Sequence, residues 1–235
     1  MGILPVPRLF SKEASMTEQF IEKIKTDGII FDIDGTLWDS REVVAGSWNE
    51  VIKKYYPERE ELEAEFLTGL FGKPMDEIAK ALFPELEGAE LEEMAEKCFD
   101  YENKVLEERP GTVYSGIKET LEKLAETFPL FIVSNCQKGY IEVCMKGCDI
   151  EHLIKDHLCY GDTKAPKSET LRRVIEKHDL KAPLYVGDTQ GDADACEEAG
   201  VPMVYVTYGL GKVENPQYTI EKIEQLEELV EYGRG

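Results

Sequence analysis

Two aspartates, Asp32 and Asp34, stand two residues apart after a short apolar run and are the first candidates for chemistry in this sequence. The run, Gly28 to Phe31, predicts a buried strand. Residues i and i+2 of a strand lie on one face, so both carboxylates can reach the same small cation. Gly35 follows, where a sharp turn favours a residue without a Cβ atom. An Asp-Gly turn that merely ends the strand is the alternative, but buried acids are costly unless a metal or a reaction uses them.

Three further clusters of polar residues follow later in the chain. They are Ser134 and Asn135 after the apolar run 129–133, Lys167 before the amphipathic segment 171–178, and Asp188 and Asp192 after the apolar run 183–186. Apolar runs that alternate with helical patterns are typical of βαβ units in a parallel sheet. Ligands of such sheets bind outside the carboxyl ends of the strands. All four clusters are therefore predicted to meet at one edge of one sheet.

Residues 40–108, between the first two clusters, are dense in Glu and Lys and carry apolar residues at helical spacing. Examples are Val44, Trp48 and Ile52, then Leu91 and Met94. No part of this range alternates at the period of a strand, so it predicts a small bundle of helices.

The order of these clusters resembles the motif order of the haloacid dehalogenase (HAD) superfamily, in its phosphoglycolate-phosphatase-like branch with a helical cap. The matching residues are Asp32-x-Asp34-Gly35-Thr36, then Ser134, then Lys167, then Gly187-Asp188-x-x-x-Asp192. The resemblance implies an α/β fold with a Rossmann-like parallel-sheet core and a small α-helical cap domain inserted after the first strand. Residues 25–39 and 109–235 would form the core, residues 40–108 the cap, and residues 1–24 an N-terminal arm.

The resemblance also implies a magnesium-dependent phosphatase that hydrolyses a small phosphate monoester, such as phosphoglycolate or a sugar phosphate. Asp32 would attack phosphorus to give an aspartyl-phosphate, and Asp34 would protonate the leaving oxygen and later activate water. Ser134 and Lys167 would bind the phosphoryl oxygens. Mg²⁺ would be held by the carboxylates of Asp32 and Asp188 and by the main-chain carbonyl of Asp34.

Two roles are open for Asp192, the remaining acid of the predicted metal set: it would hold a metal-bound water or orient Lys167. Neighbouring carboxylates are expected to raise the pKa of Asp34, which suits an acid that must keep its proton. Lys164 competes with Lys167 for the phosphate. Lys167 is preferred because it opens a helix, whose positive end also favours an anion.

Substrate binding is predicted for four residues: Asn135 and Thr36 beside the core motifs, and Phe71 and Lys73 in the segment 69–74. This segment, with two glycines and a proline, interrupts the helical pattern on both sides. Lys73 could contact an anionic end of the substrate, and Phe71 could pack on its carbon skeleton. A plain turn between helices with a solvated lysine is the alternative.

Composition narrows the partners of the protein. The formal net charge of −21 argues against nucleic acid, and no apolar stretch approaches the ~20 residues of a membrane span. The six cysteines contain no Cys-x-x-Cys pair, which favours reduced thiols in a cytoplasmic protein. The predicted partner is a small phosphorylated metabolite, and the chain would be a monomer or homodimer.

Two other functions are compatible with the same motifs. One is a phosphotransferase of this architecture, such as a sugar phosphomutase. The other is a non-catalytic module that binds magnesium and accepts phosphate on Asp32 as a signal. A phospho-acceptor module has little use for a cap of this size, and phosphate release from p-nitrophenyl phosphate would separate it from the enzymes.

Overall fold

A parallel β-sheet lies at the centre of the fold in the computed structural model, which describes residues 23–233. Six strands form this sheet, and four short strands, β1, β3, β4 and β10, lie outside it. In chain order the strands of the described residues are β1 (Ile24–Thr26), β2 (Gly28–Phe31), β3 (Trp38–Asp39), β4 (Thr112–Val113), β5 (Leu130–Ser134), β6 (Ile154–Cys159), β7 (Pro183–Gly187), β8 (Met203–Val206), β9 (Tyr218–Ile220) and β10 (Val230–Tyr232). The helices are α1 (Arg41–Tyr55), α2 (Ala64–Thr68), α3 (Met75–Leu82), α4 (Gly88–Glu108), α5 (Ile117–Ala125), α6 (Tyr140–Gly147), α7 (Tyr160–Thr163), α8 (Lys167–His178), α9 (Gln190–Ala199) and α10 (Leu226–Leu229). Two short 3-10 helices, Glu151–Leu153 and Ile223–Gln225, complete the elements.

The central sheet has six parallel strands in the order β6-β5-β2-β7-β8-β9. Every residue of β2 is buried, because strands flank it on both sides and helices cover both faces of such a sheet. The chain runs from β2 to one side of the sheet, then returns to β7 on the other side. The carboxyl ends of β5, β2 and β7 are therefore neighbours at the point where ligands bind in sheets of this kind. The predicted α/β class with a parallel sheet is confirmed.

The helices α1 to α4 occupy the range predicted for the cap, between β3 and β4. Their apolar residues face one another: Val44, Trp48 and Ile52 lie on one side of α1 and are buried. The Trp48 ring packs on Phe99 of α4, with 5.9 Å between ring centroids. The strands β3 and β4 pair antiparallel, with Trp38 opposite Val113 and Asp39 opposite Thr112. The chain therefore enters and leaves this helical insertion through one two-stranded connection.

The chain ends and the cysteines add three observations. Most of the predicted N-terminal arm, residues 1–22, lies outside the described residues, whereas Ile24 already begins β1 and pairs with Val230. All six cysteines are buried free thiols. Among the helices of residues 23–233, none is both long enough and apolar enough to cross a membrane.

Candidate active site

Asp32 lies directly after the central strand β2 and is 2% exposed. Lys167, the first residue of α8, donates from its Nζ atom to Asp32 Oδ1 at 2.9 Å and to Asp192 Oδ1 at 2.5 Å. Burial alone would lower the pKa of Lys167, but the carboxylates of Asp192 and Asp32 outweigh burial and raise it. Lys167 is therefore a fixed ammonium group beside Asp32. For Asp32 burial acts in the other direction: it raises the pKa to about 6, although the charge of Lys167 opposes that change.

Asp192, in the first turn of α9, uses both carboxylate oxygens within the protein. Its Oδ2 atom accepts from the Thr189 backbone N–H at 3.0 Å and from Thr189 Oγ1 at 2.7 Å. Its Oδ1 atom accepts from Lys167 and lies 3.2 Å from the Tyr185 hydroxyl. Burial would raise the pKa of Asp192, but Lys167 holds it below its usual range. This arrangement favours the second of the two predicted roles, in which Asp192 orients Lys167.

The carboxyl group of Asp34 is held by three donors on a single oxygen. Its Oδ1 atom accepts from Tyr140 Oη at 2.7 Å, Ser40 Oγ at 2.8 Å and Trp38 Nε1 at 3.1 Å. The pKa of Asp34 is raised to about 7, chiefly by burial, with a smaller contribution from the charge of Asp32. A raised pKa agrees with the expectation from the sequence, but neighbouring carboxylates are not its main cause. The larger cause is the loss of water around the group.

Asp32, Asp188 and Asp192 form a candidate cation site, because each offers a carboxylate oxygen atom and these atoms lie within 4.8 Å of one another. Asp188 Oδ2 accepts from the backbone N–H groups of Leu210 at 2.6 Å and Gly211 at 2.9 Å. Its Oδ1 atom is buried and has no hydrogen-bond partner among residues 23–233. Burial raises the pKa of Asp188 to about 8.

A divalent ion that prefers oxygen ligands, such as Mg²⁺, fits this donor set, because it would satisfy the orphaned Asp188 oxygen and neutralise the crowded acids. Gly35 leaves room for the Asp188 carboxylate beside the turn. It has φ of +80°, and a Cβ atom there would lie 2.1 Å from Asp188 Oδ2. The expectation that the chain turns sharply at Gly35 is confirmed.

The other predicted residues divide into those that line a cleft and those that do not. The cleft lies between the helical insertion and the sheet and is lined by Asp34, Trp48, Phe71, Gly72, Lys73, Met75, Ile78, Glu102, Ser134, Asn135, Cys136, Gln137 and Tyr140. Phe71, Lys73, Ser134 and Asn135 therefore meet in one place, and Asn135 Nδ2 donates to Gly72 O at 2.8 Å. Thr36 is fully buried, does not line this cleft, and its hydroxyl has no partner among the described residues.

Lys164, the alternative to Lys167, lies away from the acids. It is exposed in the turn after α7, in the left-handed region with φ of 49°. Its Nζ atom lies 5.3 Å from the centroid of the Tyr160 ring. The geometry therefore brings Lys167 and not Lys164 to Asp32.

Several residues that shape the site were not predicted to belong to it. Tyr140 and Trp38 donate to Asp34, and Glu102 accepts from Trp48 Nε1 at 2.6 Å. Tyr and Trp at helical or strand spacing are typical core residues, so their hydrogen bonds gave no separate signal. Glu102 did carry a signal, because a glutamate among the apolar positions of an amphipathic helix is costly to bury.

Comparison with known proteins agrees with this arrangement. Residues 29–206 match the model of the haloacid dehalogenase-like hydrolase family. A phosphoglycolate phosphatase of Vibrio parahaemolyticus is 28% identical over 232 residues, which cover 92% of this chain and 98% of that protein. The pyrophosphatase PpaX of Bacillus mycoides is 22% identical and covers 86% of this chain and 96% of its own length. A haloacid dehalogenase-like hydrolase of Streptococcus pneumoniae has the same fold, with a TM-score of 0.73 at 22% identity over 86% of this chain and 97% of that one.

The parallel sheet and the carboxylates at its central strand tips define an α/β enzyme of the Rossmann-like class. The chain belongs to the haloacid dehalogenase-like hydrolase family, as the matched residues show. The predicted resemblance to this family and the predicted enzyme class, a hydrolase with phosphatases among its relatives, are confirmed.

Proposed function

We propose that this protein is a magnesium-dependent phosphatase that hydrolyses a small phosphate monoester through an aspartyl-phosphate on Asp32. The observation that carries the proposal is the pairing of Asp32 with a buried ammonium group, 2.9 Å away, beside a second acid whose pKa lies near neutrality. A nucleophile, a fixed positive charge and a proton carrier at one strand tip suit phosphoryl transfer.

In the first half of the reaction, a carboxylate oxygen of Asp32 forms a bond to phosphorus as the bond between phosphorus and the ester oxygen breaks. Asp34 gives its proton to the departing oxygen; with a pKa of about 7, part of the population holds that proton at neutral pH. Lys167 and Ser134 bind phosphoryl oxygens, whose charge is high in a loose transition state.

In the second half, water attacks phosphorus and gives a proton to Asp34, and the bond between phosphorus and Asp32 breaks to release phosphate. Asp32 and Asp188, with the main-chain carbonyl of Asp34, would hold Mg²⁺, and Asp192 would keep Lys167 in place. When bound, the ion supplies positive charge that offsets the acids and attracts the dianionic ester.

The substrate proposed is a small phosphorylated metabolite of the phosphoglycolate or sugar phosphate type; the name of the Vibrio parahaemolyticus relative, a phosphoglycolate phosphatase, supports the first of these. Phe71 and Lys73 would contact its leaving group from the insertion, with Asn135 facing them from the core. Six buried free thiols also support the proposal of a cytoplasmic protein.

Two measurements test this function. The purified protein with Mg²⁺ should release phosphate from p-nitrophenyl phosphate, and acid quenching during turnover should trap phosphate on Asp32, detected by mass spectrometry of the peptide. Phosphate trapped on Asp32 without release would indicate a phospho-acceptor module. No trapped phosphate and no release would refute the proposal.

A further inference from the structure

The segment that follows β5, residues 134–137, is held by the helical insertion as well as by the sheet. Asn135 donates to the Gly72 carbonyl of the insertion at 2.8 Å. Gln137 Nε2 donates to Glu102 Oε1 and to Asn103 Oδ1, each at 3.0 Å. Both acceptors of Gln137 lie on α4. The segment that carries Ser134 is therefore attached to two separate parts of the insertion.

The core also contacts the backbone of the same segment. The Gly161 N–H donates to the carbonyl of Cys136 at 3.0 Å, and Cys159 Sγ lies 3.5 Å from the carbonyl of Gln137. The core thus fixes the backbone from one side, while the side chains of Asn135 and Gln137 are fixed from the other. Displacement of the whole insertion would act on Asn135 through Gly72, and on Gln137 through α4.

Glu102 is the anchor of this contact and is itself held rigidly. It is 3% exposed, and Trp48 Nε1 donates to its Oε2 atom at 2.6 Å. Burial raises the pKa of Glu102 to about 8, while the donors Gln137 and Trp48 oppose that change and Asp34 adds to it. Replacing both partners of a buried hydrogen bond by apolar groups of the same shape can be nearly neutral for stability, so stability alone does not explain a carboxyl group here. Its place between insertion and core therefore points to a role in geometry.

We propose that Gln137 is a positioning residue, through which Glu102 and Asn103 on α4 set the position of Ser134 for the phosphoryl group. This inference rests on the proposed function, because it assumes that Ser134 binds a phosphoryl oxygen. The insertion would then do more than contact the leaving group: its docking would complete the phosphate site. The hydrolysis of esters whose leaving groups make no contact with the insertion would then depend on Gln137 as much as the hydrolysis of the natural substrate does.

The test uses Gln137→Leu, which keeps a side chain of similar size and removes the amide. Its kcat and kcat/KM for p-nitrophenyl phosphate should fall roughly ten- to a hundredfold, because a displacement of about 1 Å at a reacting site costs that much. Inhibition by orthovanadate, a phosphate mimic without a leaving group, should weaken by a similar factor. Lys138→Ala is the matched control and should stay within twofold of the wild type, because Lys138 is exposed and binds Asn103 through its backbone carbonyl.

A double-mutant cycle separates positioning from a general loss of stability. Glu102→Leu alone, which removes the acceptor of Gln137, should also weaken vanadate inhibition, and Glu102→Leu combined with Gln137→Leu should be no worse than Gln137→Leu alone, since the two residues act through one contact. Vanadate inhibition within twofold of the wild type in Gln137→Leu would overturn the inference, as would effects that multiply in the double variant. A wild-type protein that neither releases phosphate nor binds vanadate would overturn the proposed function itself.

Discussion

Replacing Asp188 with asparagine is expected to stabilise the metal-free protein at neutral pH while removing its response to magnesium. The pKa of Asp188 is raised from its usual value of 3.8 to about 8, so the folded state holds a proton that the unfolded state releases between these pH values. The free energy of unfolding therefore falls as pH rises through that window. Each pH unit contributes about 1.4 kcal/mol, so Asp188 costs about 4 kcal/mol at pH 7 and about 1–2 kcal/mol at pH 5.

Asparagine keeps the favourable contacts at this position and does not titrate. Its carbonyl oxygen can accept from the Leu210 and Gly211 N–H groups as Asp188 Oδ2 does. In EDTA at pH 7, we therefore expect Asp188→Asn to unfold at higher urea, with a gain of about 2–4 kcal/mol that shrinks to about 1 kcal/mol at pH 5. Added Mg²⁺ should stabilise the wild type and leave the variant nearly unchanged.

Urea unfolding followed by circular dichroism, at several pH values with EDTA or with Mg²⁺, measures both effects. Asp194→Asn removes the same charge from an exposed position on α9 and should change the free energy of unfolding by less than about 0.5 kcal/mol. A lower stability of Asp188→Asn than of the wild type in EDTA at pH 7, or a difference that did not depend on pH, would contradict a raised pKa of Asp188 in the folded protein.

Three further outcomes are expected from the proposed chemistry. Stripping divalent metal with EDTA should abolish phosphate release, and Mg²⁺ should restore it. Ca²⁺ should be a poor substitute, because its coordination shell is larger and more variable. Full activity after stripping would exclude the proposed metal role of Asp32 and Asp188. Asp32→Asn should eliminate turnover and trapped phosphate, whereas Asp34→Asn should slow esters with poor leaving groups most, as a comparison of p-nitrophenyl and alkyl phosphates would show. Lys73→Ala should leave the hydrolysis of p-nitrophenyl phosphate within a few-fold of normal. For the best substrate of a metabolite panel, the same change should lower kcat/KM by roughly one to three decades. Equal losses on the two substrates would indicate damage to the core.

Much of the fold could be predicted because its signals are local. The strand β2 has the predicted bounds, Gly28 to Phe31. So short an apolar run, followed directly by Asp32, suits a buried strand better than a helix. The strand β5 lies one residue later than the predicted run, at Leu130–Ser134. The helix α8 begins at Lys167, which confirms the prediction that Lys167 opens a helix, although its amphipathic pattern starts four residues later.

The surroundings of the acids could not be predicted, since they depend on contacts between distant parts of the chain. Tyr140 reaches Asp34 across 106 positions, and Gln137 reaches Glu102 across 35. No local pattern records such contacts. For the same reason the sequence could predict Asp34 as a candidate proton carrier but could not predict burial as the main cause of its raised pKa.

The pairing of β3 with β4 has a consequence for how this enzyme could be rebuilt. Paired residues of antiparallel strands lie about 5 Å apart, so Asp39 and Thr112 are close enough for a two- or three-residue turn to join them. The insert between them could then be exchanged for another without stretching the sheet, as long as Ser40, which donates to Asp34, is kept. Substrate range would become a property of an interchangeable part, provided that the replacement restores the support for Ser134 that Gln137 receives from α4.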